Sequence, residues 1–406
     1  MLQSASEKRK RIATTLAFIS IPLSGFVTDI YLPSFPSMAK GLQVEESSIQ
    51  LTLTCFFISY GISQLLVGSL LDSIGRFKPA MYALVAVIIT SMLIGFTSNI
   101  QLICLLRIIQ GIAVSFVVVS KRAFFVDMYS GDKLKNYLSY FTIIWSCGPI
   151  IAPFLGGYLQ KYFHWQANFY FLALYALVML IFELIYSGET IKVRKQFDVA
   201  RIKKDYGMAL GNLNFVLGII TLGLAYSVVM VFNIGGPFVI ENGYHFNSIV
   251  TGYCTLILGF SWLVGGVIGK RLVAVDFVRK ITIASATQLL LIVILMFVGF
   301  GYPALWCFMF FAFVIHICSG FLYNVHFTHS MLYFPEHAAM ASGLLGGLVY
   351  VITSFSSFIL SKTGKMGHQH DIVIRYLVIS AILSAVVWYA VKRRRTAAKM
   401  SAAIAA

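Results

Sequence analysis

Gly68-Ser69-Leu70-Leu71-Asp72-Ser73-Ile74-Gly75-Arg76-Phe77-Lys78 is a short charged turn set between two long apolar runs. Gly68 permits close contact with a neighbouring helix. Asp72 and Arg76 place opposite charges at a water interface, and Gly75 permits the sharp reversal that so short a connection demands. The flanking runs, 50–71 and 79–98, are long enough to cross a bilayer, which takes about 20 apolar residues. The same alternation fills the rest of the chain. Runs can be drawn at 12–33, 101–123, 138–159, 167–187, 213–237, 248–269, 281–300, 304–328, 339–361 and 372–391, which makes twelve in all. The longest spacer, 188–212, is basic and polar. The expected architecture is an all-α membrane protein of twelve transmembrane helices. Residues 1–187 and 213–406 form its two six-helix halves, and 188–212 a cytoplasmic linker.

Composition excludes a water-soluble domain. Hydrophobic residues make up 59% of the 406-residue chain and charged residues 11%, against about 25% charged in soluble proteins. The net charge of +16 would suggest nucleic acid in a soluble protein. Here the cations cluster in short spacers, so no nucleic-acid partner is expected. With the N-terminus inside, 25 of the 31 Lys and Arg fall in inside segments and 4 in outside loops. That asymmetry puts both termini in the cytoplasm and calls for an even number of spans. Lys8-Arg9-Lys10-Arg11 leads straight into an apolar run without a small-residue cleavage site, so no cleavable signal peptide is expected. The six cysteines all lie in apolar segments without a Cys-x-x-Cys pair, which reads as packing and not as disulfides or metal ligands.

Ionisable and polar groups within spans are costly and therefore mark candidate sites. Asp29 is the clearest, in the outer half of the first span. A carboxyl held away from water can take up and release a proton near neutral pH. The alternative is an interfacial residue that hydrogen-bonds the backbone where Pro33 and Pro36 end the helix. Arg107 cannot lose its proton; it must face the bundle interior, pair with a carboxylate or reach the outer interface. Gln110 and Gly111 beside it favour the interior. Glu183, about a turn inside the sixth span, reads as a side chain reaching to the interface. The tenth span carries His316, Asn324, His326 and His329. Asn324 and His326 are candidates for lining a cavity, although an asparagine there can also simply join helices.

The charged turn resembles the signature loop of the major facilitator superfamily. Arg107-x-x-Gln110-Gly111 is similar to that superfamily's fourth-helix motif. Gly148-Pro149-Ile150-Ile151-Ala152-Pro153-Phe154-Leu155-Gly156-Gly157 resembles its antiporter motif. Pro149 removes a backbone donor and kinks the helix; Gly148, Gly156 and Gly157 let a neighbour approach. The eleventh span, with Ser342-Gly343 and Gly346-Gly347, is the expected neighbour. Thr28-Asp29-Ile30-Tyr31-Leu32-Pro33-Ser34-Phe35-Pro36, Glu189-Thr190, Gly236-Pro237-Phe238-Val239 and Phe334-Pro335-Glu336-His337-Ala338 are similar to segments of the Bcr/CflA group of drug:proton antiporters. Val126 precedes Asp127 where that group commonly has Arg, and Ser73 stands at a usually basic position.

The resemblance implies the major facilitator fold with pseudo-symmetric halves, in the bacterial inner membrane. It implies proton-coupled export of small amphipathic compounds by alternating access. Asp29, Arg107, Gln110, Asn324 and His326 would then bind proton or substrate. Gly68, Asp72, Gly75, Arg76, Asp127, Gly148, Pro149, Gly156 and Gly157 would serve gating, with Asp72, Arg76 and Asp127 as an inner latch. A proton gradient would supply the energy, with no bound cofactor or metal. The expected partners are a small molecule, protons and lipid around a monomer. Export of one endogenous metabolite or siderophore is the alternative. A membrane enzyme would need a nucleophile with its base or a ligand set, and the chain has no His-Glu-x-x-His or Gly-x-Ser-x-Gly. The loops are also short for a receptor.

Overall fold

Hydrocarbon offers no water to satisfy backbone N–H and C=O groups, so a chain this apolar must satisfy them within helices. The computed structural model describes the backbone of residues 2–405 apart from 195, 302 and 335–337, and side chains apart from these and 135, 139, 142, 143, 300, 338, 339 and 397–405. Pro335, Glu336 and His337 of the last motif above thus lie outside the described residues. Among the described residues there is no strand. The first span is broken into α1 (Glu7–Ser20), α2 (Leu23–Asp29) and α3 (Phe35–Gly41). Pro22 cannot donate a helical hydrogen bond and separates α1 from α2. Pro36 stands in the first turn of α3, where a missing donor costs nothing, so helix resumes beyond the expected end at Pro33.

The other helices are α4 (Glu46–Ile74), α5 (Phe77–Phe96), α6 (Ile100–Met128), α7 (Gly131–Phe163), α8 (Gln166–Tyr186), α9 (Val199–Gly211), α10 (Leu213–Phe238), α11 (Ser248–Arg271), α12 (Phe277–Gly301), α13 (Leu305–Met331), α14 (Ala338–Ser361) and α15 (Gln369–Ala405). Eleven segments, with α1–α3 taken as one, are long and apolar enough to cross a membrane. The fifth expected span is α7, 33 residues long and packed among them. Helix α9 lies in the linker. Asp198 caps it by accepting from Arg201 N–H at 3.0 Å, and Tyr206 donates to the Leu65 carbonyl at 2.5 Å.

One buried apolar cluster is built mainly from α2–α8 and another from α10–α15. Two long helix pairs join these regions, α4 with α14 and α7 with α11, and the short α3 adds a smaller contact on α10, where Phe35 meets Phe238 at 6.2 Å. The eleventh span, α14, therefore packs against the second and not against the antiporter-motif helix. A Cβ on Gly61 would meet the Gly347 carbonyl at 2.7 Å, and Ser354 donates to the Thr54 carbonyl at 3.1 Å. The motif helix α7 packs against the first span and α11 instead. A side chain on Gly148 would meet the Pro22 carbonyl at 2.8 Å; on Gly156 or Gly157 it would run into the carbonyl of Ile30 or Ser248. Gly68 has no such constraint: its nearest neighbour would be a Val119 methyl at 4.0 Å. Close approach of α4 to α6 falls at Gly111, where a Cβ would lie 2.6 Å from the Phe56 carbonyl.

Candidate functional site

Helix α2 ends at Asp29, whose side chain has no solvent exposure and whose two carboxyl oxygens have no hydrogen-bond partner among the described residues. The backbone-capping role considered above is therefore not what holds it. Arg107, also fully buried, lies between the rings of Tyr31 and Phe56, 4.7 and 4.5 Å from their centroids. It donates to the Val27 carbonyl at 2.9 Å and to Gln110 Oε1 at 2.8 Å, and Gln110 Nε2 donates to Ser91 at 2.9 Å. These contacts hold the guanidinium on the α2 backbone and the aromatic faces, within electrostatic range of Asp29 but outside ion-pair distance of it. Arg107 thus faces the bundle interior.

Tyr226 and Tyr350 lie within electrostatic range of Asp29 from the α10 and α14 sides. Both border a cavity between the two sets of six spans. Trp145, Ser146, Pro149 and Ile150 of α7 form one wall; Tyr226, Met230 and Asn233 of α10, Thr255 and Trp262 of α11, Tyr323 of α13 and Tyr350 of α14 form the rest. The aromatic rings run on without a gap: Tyr60 to Tyr350 at 4.8 Å, Tyr350 to Tyr226 at 5.7 Å, Tyr226 to Trp262 at 6.0 Å, Trp262 to Tyr323 at 5.0 Å. The cavity volume is about 60 Å³. That holds a few waters; drug-sized ligands occupy pockets of about 300–1,000 Å³. A substrate of that size requires the walls to part. Pro149 also rests on Gly25 of α2, so α7 links the cavity to the segment carrying Asp29.

The tenth-span candidates do not border this cavity; Tyr323 does. Asn324 faces Gly266 and Gly269 of α11, a helix-joining position. His326 packs on Phe277 at 5.3 Å, and His329 meets Arg394 at 2.8 Å. His316 hydrogen-bonds the Tyr376 hydroxyl at 2.8 Å. Asn233, an amide inside an apolar run, carried the same signal in sequence as Asn324. The tyrosines carried none, because the same residue type fills membrane interfaces. Among the described residues no three His, Cys, Asp or Glu side chains converge as a metal-ligand set.

At the basic end, Gly75 takes φ +99° and turns the chain from α4 to α5. Arg76 bridges Asp72 at 2.9 Å and Asp127 at 2.7 Å. Glu189 accepts from the N–H groups of Arg76 and Phe77, at 3.0 and 3.2 Å, an anion at the start of α5. Thr190 donates to Asp127 at 2.7 Å. Glu189 and Thr190, quoted above only as part of a resemblance, thus complete the cluster. All of its members belong to the first six spans or the segment just after them. Beside this cluster, Arg122 of α6 crosses to α14 and donates to Ser342 at 3.2 Å. Glu183 does not reach the interface either: it has no exposure and pairs with Lys121 at 2.7 Å.

An uncharacterized MFS-type transporter, YdgK, of Bacillus subtilis (strain 168) is 26% identical over 86% of this chain and 88% of its own. The bicyclomycin resistance protein homolog of Haemophilus influenzae is 34% identical over 42% of this chain and 43% of its own. The chloramphenicol resistance protein of Pseudomonas aeruginosa is 34% identical over 37% of this chain and 36% of its own. The fold matches that of a bacterial homolog to the human lysosomal transporter Spinster, solved inward-facing and occupied, with a TM-score of 0.73 at 13% identity over 96% of this chain and 98% of that one. The Major Facilitator Superfamily pattern spans residues 17–361. The chain is a multi-pass membrane transporter and not an enzyme, and it belongs to the Major Facilitator Superfamily.

Proposed function

We propose that the protein is a proton-coupled antiporter of the Bcr/CflA type. It exports small amphipathic compounds, drugs or related metabolites, across the bacterial inner membrane by alternating access. It works as a monomer with both termini in the cytoplasm. The observation that carries this reading is Asp29, a buried carboxyl without a bonded partner among the described residues, within electrostatic range of two tyrosines, Tyr226 and Tyr350, that border an aromatic cavity between the two sets of six spans. A carboxylate that is neither ion-paired nor hydrogen-bonded is free to exchange a proton for a substrate's charge or polar group. Arg107, held by Val27, Gln110 and two rings, supplies a fixed positive charge that does not itself give up a proton. The rings of Tyr226, Trp262, Tyr323 and Tyr350 offer apolar faces with polar edges, suited to amphipathic and aromatic molecules. The drug-resistance names of two relatives support this substrate class.

Gating follows from the cross-contacts. Parting α4 from α14, and breaking Arg122 to Ser342, would open the basic end; parting α7 from α11 at Gly157 and Ser248 would open the other. The Asp72–Arg76–Asp127 cluster, with Glu189 and Thr190, ties the second, third and fourth spans to the segment after the sixth. The test is reconstitution into liposomes with an imposed pH gradient and a panel of lipophilic cations and neutral antibiotics. Substrate-driven proton release is expected with the native protein and lost in Asp29→Asn. Undiminished proton release by the variant removes Asp29 from the role.

A further inference from the structure

The cluster around Asp127 leaves one large feature of the basic end unused: a groove of about 1030 Å³ between α1 and the turn from α6 to α7. Lys8 and Arg11 reach into it from α1, Lys133 from α7 and Lys192 from the segment after α8. Its two carboxylates are engaged, Glu7 by Lys10 at 2.8 Å and Asp127 by Arg76 at 2.7 Å. Lys8, Arg11, Lys133 and Lys192 make no ion pair among the described residues, and all four are exposed. With Lys10, five cations face two carboxylates in the groove, so it keeps a net positive charge.

The other end of the groove is apolar. It is lined by Phe18, which is tilted against Phe125 at 4.6 Å and edge-on to Tyr137 at 5.7 Å. Beside Phe18 lies Tyr140, 6.5 Å away between ring centroids and 55% exposed, and Ile19, next to Phe18 in α1, is 46% exposed. From Lys8 to Phe18 is about 15 Å along α1 at ~1.5 Å per residue. Cations at one end and an exposed apolar wall at the other match a molecule with an anionic head and hydrocarbon chains. We propose that this groove binds the headgroup of an anionic phospholipid from the leaflet at the chain's basic end. Its acyl chains lie along Phe18, Ile19 and Tyr140. Basic pockets between spans bind such headgroups through the combined field of their cations. A free phosphate would use the cations but leave the apolar wall uncovered. The inference depends on the chain spanning a membrane and is independent of proton coupling and of the exported substrate.

Full-length protein, delipidated in a non-ionic detergent, is titrated with phosphatidylglycerol, phosphatidylethanolamine or inorganic phosphate, and bound molecules are counted by native mass spectrometry. Phosphatidylglycerol should be retained over phosphatidylethanolamine. The triple variant Lys8→Gln, Arg11→Gln, Lys133→Gln should weaken its retention at least tenfold, since each cation near the surface is worth about fivefold. A charge-matched control on α9, Arg201→Gln, Lys203→Gln, Lys204→Gln, should change it less than about twofold. The substituted side chains are exposed, and an unchanged unfolding temperature verifies the fold; Lys192→Gln alone, expected to cost about fivefold, serves if the triple variant misfolds. Equal loss in the triple variant and the control overturns the proposal. Displacement of phosphatidylglycerol by inorganic phosphate at equal concentration also overturns it, because the site is then one for free anions.

Discussion

Asp29 and Glu183 are both carboxyl groups without solvent exposure in the first six spans, and the structure treats them in opposite ways. Glu183 on α8 meets Lys121 of α6 at 2.7 Å, with the Ser20 hydroxyl of α1 at 3.5 Å. Three helices are tied at one point by a pair of charges that cancel. Asp29 has Arg107 in the same bundle, yet the guanidinium is committed to Val27, Gln110 and two aromatic rings, and the carboxyl stays unbonded. A paired buried charge braces; an unpaired one beside a cavity is costly to keep and is available for exchange. Burial and the carboxyl group are the same in both residues, so the partner decides the role.

The comparison can be broken from the Glu183 side with the largest effect. Glu183→Gln leaves Lys121 charged and unpaired in the interior, which should destabilise the fold by about 3–5 kcal/mol. Adding Lys121→Met should recover most of that loss, because the penalty belongs to the orphaned charge. Thermal unfolding in detergent reads both. If Glu183→Gln unfolds at the native temperature, the pair is no brace and the contrast fails. From the other side, Asp29→Asn removes no bond. Its unfolding free energy should stay within about 1 kcal/mol of native, while coupled transport falls at least about tenfold. Equal losses in both properties would make Asp29 structural like Glu183.

Pro149→Ala sharpens the same distinction at the cavity wall. It restores a helical donor and straightens α7 where it rests on Gly25. Transport should fall a few-fold, about 1 kcal/mol in barrier, without an equal loss of folded protein in the same purified sample. Transport lost only in proportion to folded protein would reduce the kink to shape alone. Asp72→Asn should be the mildest. Its side chain is 36% exposed, and Arg76 keeps Asp127. An exposed pair contributes at most about 1 kcal/mol. Labelling of cysteines placed at the basic end should change less than about fivefold, and less than in Arg122→Gln, which loses the contact to α14. A larger effect of Asp72→Asn would return the gate to the charge cluster.

Much of this molecule is written in local chemistry. Hydropathy runs of about 20 residues declare the spans, because hydrocarbon thickness sets their length. Gly75 declares its turn, because φ +99° excludes most other residues. Asp29 and Arg107 declare themselves, because a charge in such a run has no cheap explanation. What the sequence does not contain is azimuth. Lys121 and Arg122 are neighbours in the chain, and both count as basic-end cations in the topology argument. On α6 they point about 100° apart. One is buried against Glu183, and the other crosses to Ser342 on α14. The same rotation moves the cavity from Asn324 to Tyr323, one residue away. It also pairs α7 with α11 and α4 with α14, since small residues mark a face for close packing without naming its partner. Span, turn and the costly charge follow from residue type and spacing alone. Which charge is neutralised, and which is left to bind, depends on the side chains that tertiary packing brings within about 4 Å, the reach of an ion pair.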